Sequence, residues 1–94
     1  MTNKIDKKFW KGKKVFITGH TGFKGSWLSI FLTHLGAEVT GYSLKPLTKP
    51  SLFYLAKIDK LIKKSITADV RDYKKLHQEI KKSNCTIIFH LAAQ

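Results

Sequence analysis

The sequence runs to 94 residues, 43% hydrophobic and 26% charged, with six Gly, two Pro and a single Cys. This is the composition of one small globular module, and it excludes a disordered or collagen-like chain, a disulfide framework and a cysteine-based zinc site. Eighteen Lys and Arg against six Asp and Glu leave a net charge of +12. That excess suits a nucleic-acid partner, but every one of those cations except Arg71 is a lysine, and they are spread along the whole chain, the pattern of a solvated surface.

No apolar run is long enough to cross a membrane, and the basic N-terminus lacks the apolar core of a secretory signal. With one cysteine, a cytoplasmic setting is the expectation. Residues 1–8 read as a frayed polar terminus. Lys14–Thr18 (Lys-Val-Phe-Ile-Thr) is a short apolar strand of the kind buried on both faces of a parallel sheet. A glycine turn follows, and then a helix over Gly22–Leu35. Its apolar residues Phe23, Trp27, Leu28, Phe31, Leu32 and Leu35 recur at helical spacing, which predicts one inward stripe with Trp27 on the sheet side. Gly36 supplies the left-handed residue that ends it.

Glu38–Ser43 reads as the second strand. Leu44–Pro50 holds both prolines and is a loop, after which Ser51 can cap a short helix over Leu52–Ala56. A basic stretch leads to a third strand near Ser65–Ala68. Asp72 is the N-cap of a helix running to Ser83, with Tyr73, Leu76 and Ile80 facing inward. Thr86–Leu91 is the fourth strand. Alternating strands and helices with no hairpin turn predict an α/β parallel sheet with right-handed crossovers; taken with the glycine turn described next, the expectation is a partial Rossmann-like sheet of about four strands, order 3-2-1-4, with helices on both faces.

The chemistry is concentrated at Gly19-His20-Thr21-Gly22-Phe23-Lys24-Gly25, directly after a strand and opening a helix. Gly19 lets the chain turn off the strand, Gly22 lets the backbone approach a pyrophosphate, and Gly25 lets the helix pack close to the sheet. The first-turn N–H groups and the helix dipole favour an anion there. The order Lys24-Gly25-Ser26 is the reverse of a nucleotide-hydrolase loop. Asp69, past the third strand, suits either of two roles: an acceptor for an adenine amino group or a plain turn aspartate. Leu91-Ala92-Ala93 leave room for a ligand crossing the sheet edge. His20 reads as a residue that shapes the turn, and His90 as a hydrogen-bonded core histidine. No histidines have metal-ligand spacing, so no metal is expected.

Thr18–Gly25, Asp69-Val70-Arg71 and His90–Gln94 resemble the extended short-chain dehydrogenase/reductase family of sugar-nucleotide enzymes. With Phe9-Trp10, Ser26-Trp27-Leu28-Ser29, Gly41–Leu44 and Pro50–Phe53, the likeness is to its NAD-dependent dehydratases and runs from about Phe9 to Gln94. The resemblance implies bound NAD, a CDP-sugar substrate oxidised at C4 and dehydrated across C5 and C6 by a lyase, and a homodimer in the full-length form. It implies cofactor contacts from Gly19, Thr21, Gly22, Phe23, Lys24 and Gly25 at the pyrophosphate, Asp69 and Val70 at the adenine, and Leu91, Ala92 and Ala93 along the dinucleotide.

Two departures stand out. Ser43 occupies the place where family members carry the ribose-binding carboxylate, with Lys45 two residues on, so NADP is not excluded. The family's Tyr-x-x-x-Lys pair is absent, since Tyr42, Tyr54 and Tyr73 are followed four residues later by Pro46, Ile58 and His77. Residues 9–94 are therefore expected to be the N-terminal part of a dinucleotide-binding domain, truncated before the catalytic and substrate regions and inactive alone, with no catalytic residues of its own. Another nucleotide-sugar epimerase, dehydratase or reductase of the same fold, a basic nucleic-acid module and a non-binding gene remnant stay open as alternatives.

Overall fold

Four parallel strands carry the chain. The computed structural model describes residues 7–46 and 51–92. In chain order these form α1 (Lys7–Trp10), β1 (Lys14–Thr18), α2 (Phe23–His34), β2 (Glu38–Ser43), α3 (Leu52–Leu55), α4 (Ile58–Leu61), β3 (Lys64–Thr67), α5 (Tyr73–Ser83) and β4 (Ile87–His90). The sheet order is β3-β2-β1-β4. Every pairing is parallel, with Lys14 opposite Glu38, Phe16 opposite Ile88 and Thr40 opposite Lys64. All four strands therefore end at one edge of the sheet, where the sequence places its candidate residues.

Strand alternation divides the core. Val15, Ile17 and Val39 face one way and pack with Leu32 and Leu35 from the α2 end and with Phe53, Ile58 and Ile62 from the α3–α4 segment. Phe16 and Tyr42 point to the other face, fully buried with their rings 6.1 Å apart. The right-handed crossover from β3 to β4 carries α5 over that face, against β1.

The limits of β1 and β2 coincide with those expected. Ser51 accepts from the Tyr54 N–H and Asp72 from the Lys75 N–H, the two caps read from the sequence. After α2, Gly36 at φ +91° donates to Thr33 O, and Ala37 donates to Leu32 O, a Schellman end.

Several expectations are corrected. Lys7 and Lys8 belong to α1 and not to a frayed terminus; residues 1–6 lie outside the described set, as do 47–50 of the proline loop. The third and fourth strands are Lys64–Thr67 and Ile87–His90, each displaced or shortened at its ends. α4 was not foreseen: it starts after Lys57 in the left-handed region, and its four residues carry no periodic signal.

The inner face of α2 is the largest correction. Phe23, Trp27 and Phe31 are 69%, 53% and 42% exposed, while Gly25, Ser26, Ser29 and Leu32 are buried. The first turns of the helix lie too close to the end of β1 for large side chains at positions 25, 26 and 29. Small residues fill the contact, with Ser26 Oγ donating to His20 O and Ser29 Oγ to Gly25 O. Trp27 is therefore on the solvent side. On α5, Tyr73 is 73% exposed and leaves Leu76 and Ile80 to face the sheet.

Candidate functional site

β1 delivers the chain to Gly19, whose φ of +84° lies in the left-handed region that glycine tolerates. Its N–H donates to Tyr42 O at 2.9 Å, which ties the turn to β2. A side chain at Gly19 would also meet the backbone of β4's extension, 2.7 Å from Ala92 N. Gly22 then caps α2 in an extended conformation, with no side chain engaging the helix end. A Cβ added at Gly22 would have only Gly19 O within 4 Å, at 3.6 Å. The space beyond is open, and the N–H groups of Phe23, Lys24 and Gly25 at the start of α2 have no acceptor in the preceding turn. Gly25 is the reverse case: a Cβ there would overlap Gly19 O. One glycine lets the helix reach the turn and the other keeps a cradle clear for an anion, the combination a dinucleotide pyrophosphate requires.

The other strand ends join this turn through named bonds. Thr21 Oγ1 donates to Leu44 O at 2.8 Å and lies 2.9 Å from Ser43 Oγ. Tyr42 donates its hydroxyl to Asp69 O at 3.2 Å, and burial pushes its phenol pKa up. Leu91 N–H donates to Thr18 O, and Ala92 N–H to Thr18 Oγ1 at 3.4 Å. Gly19, Thr21, Gly22, Phe23, Lys24, Gly25, Ser43, Asp69, Val70, Leu91 and Ala92 thus gather at one edge. Ala93 lies outside the described residues.

Asp69 is more occupied than its sequence position suggests. Oδ1 accepts from the Arg71 backbone N–H at 2.8 Å, and Arg71 Nη2 reaches Oδ2 at 2.6 Å. The Arg71 side chain, then its backbone N–H, hold the carboxyl below the usual carboxylate range. Any donor brought to this carboxylate would share it with the Arg71 guanidinium.

His20 plays a part the motif did not disclose. It is 1% exposed and packs edge-on to Phe53, with ring centroids 5.4 Å apart. Its ring fills the place of the missing side chain at Gly41, where a Cβ would collide with it. Nε2 lies 2.7 Å from Ser65 Oγ, and Nδ1 is buried without a partner. A stranded acceptor costs less than a stranded N–H, so the proton belongs on Nε2, donated to Ser65. The available signal was Gly41 itself, since a glycine inside a strand often marks a close approach. His90 is hydrogen-bonded as expected, with Nδ1 2.6 Å from Thr18 Oγ1, but it is exposed and not a core residue.

Burial lowers the His20 pKa from 6.5 to about 4. The folded state therefore disfavours the proton that the unfolded chain accepts below pH 6.5. Stability is full above that value and falls as the pH drops toward 4, by a total on the order of 3 kcal/mol. Thermal melts at pH 7 and pH 5 are expected to show a clear drop in Tm for the wild type. His20→Gln should lose most of that difference, and an unchanged difference refutes the assignment.

Among the described residues no group of three His, Cys, Asp or Glu could hold a metal ion, and no helix is long and apolar enough to cross a membrane.

A family model described as GDP-mannose 4,6 dehydratase matches residues 16–94. The chain is 53% identical over 90 residues to CDP-glucose 4,6-dehydratase of Salmonella typhimurium; the match covers 96% of this chain and 25% of that protein. Among solved structures, an epimerase from Methanothermobacter thermautotrophicus superposes with a TM-score of 0.70 and 26% identity, over 94% of this chain and 25% of that one. The dTDP-glucose 4,6-dehydratase of Bacillus anthracis, in complex with NAD, gives 0.70 with 17% identity, over 88% of this chain and 27% of that one. A UDP-glucose-4-epimerase from Stenotrophomonas maltophila, with NAD and formylated UDP-arabinopyranose bound, gives 0.70 with 21% identity, over 87% and 25%. The last two establish likeness of fold. The chain spans about a quarter of the length of each relative.

Proposed function

The chain belongs to the GDP-mannose 4,6 dehydratase family, and from that premise we propose that it forms the NAD-binding front of a CDP-glucose 4,6-dehydratase. The observation that carries this reading is the open cradle at Gly22 beneath the uncapped start of α2. In this reading residues 9–94 are the N-terminal part of the dinucleotide-binding domain. The proton-transfer residues and the CDP-sugar pocket belong to the rest of the enzyme, a cytoplasmic homodimer.

Each residue then has a task. The N–H groups of Phe23, Lys24 and Gly25 hold the pyrophosphate, with Gly19 and Gly22 giving it access. Thr21 fixes the turn against the end of β2, beside Ser43 at the ribose. Asp69 and Val70 line the adenine side, and Leu91, Ala92 and Ala93 the middle of the dinucleotide. Bound NAD supplies the hydride acceptor for oxidation at the sugar C4.

A thermal melt of the chain with and without NAD tests the reading. At about a hundred times Kd, NAD adds about 2.7 kcal/mol of stability. In a domain of this size that raises Tm by roughly 14 °C. A cooperative melt indifferent to NAD overturns it.

A further inference from the structure

We propose that Ser43 and Lys45 make this site a weak discriminator between the two nicotinamide dinucleotides, binding NAD and NADP within about tenfold of each other. The inference rests on the dinucleotide reading above and concerns the corner where β2 ends. In sheets of this class the residue closing the second strand stands beside the adenosine ribose. A carboxylate there accepts from the 2′-hydroxyl and repels a 2′-phosphate, whereas a nearby cation accommodates the phosphate.

Ser43 closes β2, and its hydrogen bonding is determined by its neighbours. Thr21 has one hydroxyl hydrogen, and it goes to Leu44 O at 2.8 Å. The 2.9 Å contact between Thr21 Oγ1 and Ser43 Oγ must then use the Ser43 hydrogen. Ser43 is left with lone pairs and no charge. It can take a hydrogen from a ribose hydroxyl, and one such neutral bond is worth about fivefold in affinity. It has no means of the electrostatic rejection that a carboxylate imposes.

The surrounding charge points the same way. Lys45 is exposed, two residues beyond Ser43, and makes no ion pair among the described residues. The acidic residues that follow β3 are already engaged, Asp69 by Arg71 and Asp72 by the first turn of α5. The modest preference that Ser43 gives the hydroxyl is opposed by the attraction Lys45 offers a 2′-phosphate.

Calorimetric titration of the chain with NAD and with NADP, at low salt, tests this directly. The expected result is two dissociation constants within tenfold. Ser43→Asp should weaken NADP at least about tenfold relative to NAD, as a like charge brought beside the phosphate requires. Lys45→Ala should weaken NADP more than NAD, with the difference shrinking in high salt. A wild-type preference for either nucleotide beyond tenfold overturns the inference, as does an unchanged ratio in Ser43→Asp. Failure to bind either nucleotide overturns the dinucleotide reading itself, a separate outcome.

Discussion

Gly25→Ala is expected to cost this chain several kcal/mol, enough to lower Tm by roughly 15 °C or to erase the cooperative transition. The added methyl would overlap Gly19 O, and it would stand 2.7 Å from His20 Cα and 2.8 Å from Gly19 C. All of these are backbone atoms. They cannot swing aside, because Gly19 N–H is bonded to Tyr42 O and Ser26 Oγ holds His20 O. Relief requires α2 to move off the end of β1, which opens gaps around Ser26, Ser29 and Leu32. Overpacking of this kind costs about 1–3 kcal/mol where side chains can adjust, and more where backbone must move. Against a total stability of about 5–14 kcal/mol for a domain of this length, that loss is large. Gly12→Ala is the control: unlike Gly25 it sits at positive φ, but it has nothing within 4 Å, so only about 1 kcal/mol of backbone strain is expected. If Gly25→Ala melts within a few degrees of the wild type, α2 does not approach the turn as described.

Gly22→Val should have the opposite profile. Its backbone, at φ −75° and ψ 171°, is extended and open to any residue. The nearest atom to a new Cβ is Gly19 O at an ordinary 3.6 Å. The fold should lose no more than about 1 kcal/mol, the difference between a tolerated and a poor N-cap. Binding should suffer far more, because the branched side chain would occupy the cradle into which the Phe23, Lys24 and Gly25 N–H groups point. The expected outcome is a near-normal melt that no longer responds to NAD, with affinity reduced about a hundredfold or more, since the anion loses its close approach to the helix end. An undiminished NAD response in Gly22→Val would sink the assignment of the pyrophosphate to this turn. Together the two variants separate a glycine required by packing from one required by a ligand.

Much of this architecture was legible because the local and global cues agree. β1 and β2 are apolar runs bounded by glycine turns. Ser51 and Asp72 are strong caps, and the absence of hairpin turns forces parallel crossovers. The parallel sheet followed from those cues, and the glycine turn after β1 brought the strand order with it, and so the gathering of Gly19, Ser43, Asp69 and Leu91 at one edge.

The misreadings have physical causes. Periodicity locates a helix but does not say which of two faces is inward when one is aromatic and the other is built of Gly and Ser. On α2 the demand for close backbone approach outweighed the hydrophobicity of Phe23, Trp27 and Phe31. The Arg71 clamp on Asp69 is a two-residue contact that depends on a turn whose shape no residue pattern reports. His20 looked like a turn residue because its partners, Gly41, Phe53 and Ser65, come from separate segments. Their convergence exists only once β2, α3 and β3 are assembled.

The placement of β4 has a consequence for the order in which the molecule is made. β1 is the first strand to be synthesised, yet it ends in the middle of the sheet, and its last neighbour comes late. Thr18 and His90, which share a hydrogen bond, are 72 positions apart. At a synthesis rate of about 10 residues per second, some 7 s pass between them on the ribosome. During that interval β1, α2, β2 and β3 can assemble as a unit while one side of Val15, Phe16 and Ile17 waits unpaired. Gly19 is backed by Ala92, so the glycine turn acquires its support only once the residues after β4 have been made. If the turn holds the pyrophosphate as proposed, competence to bind is acquired only after that step. A nascent chain stopped short of β4 exposes one edge of β1, the most deeply buried strand among the described residues, to its neighbours.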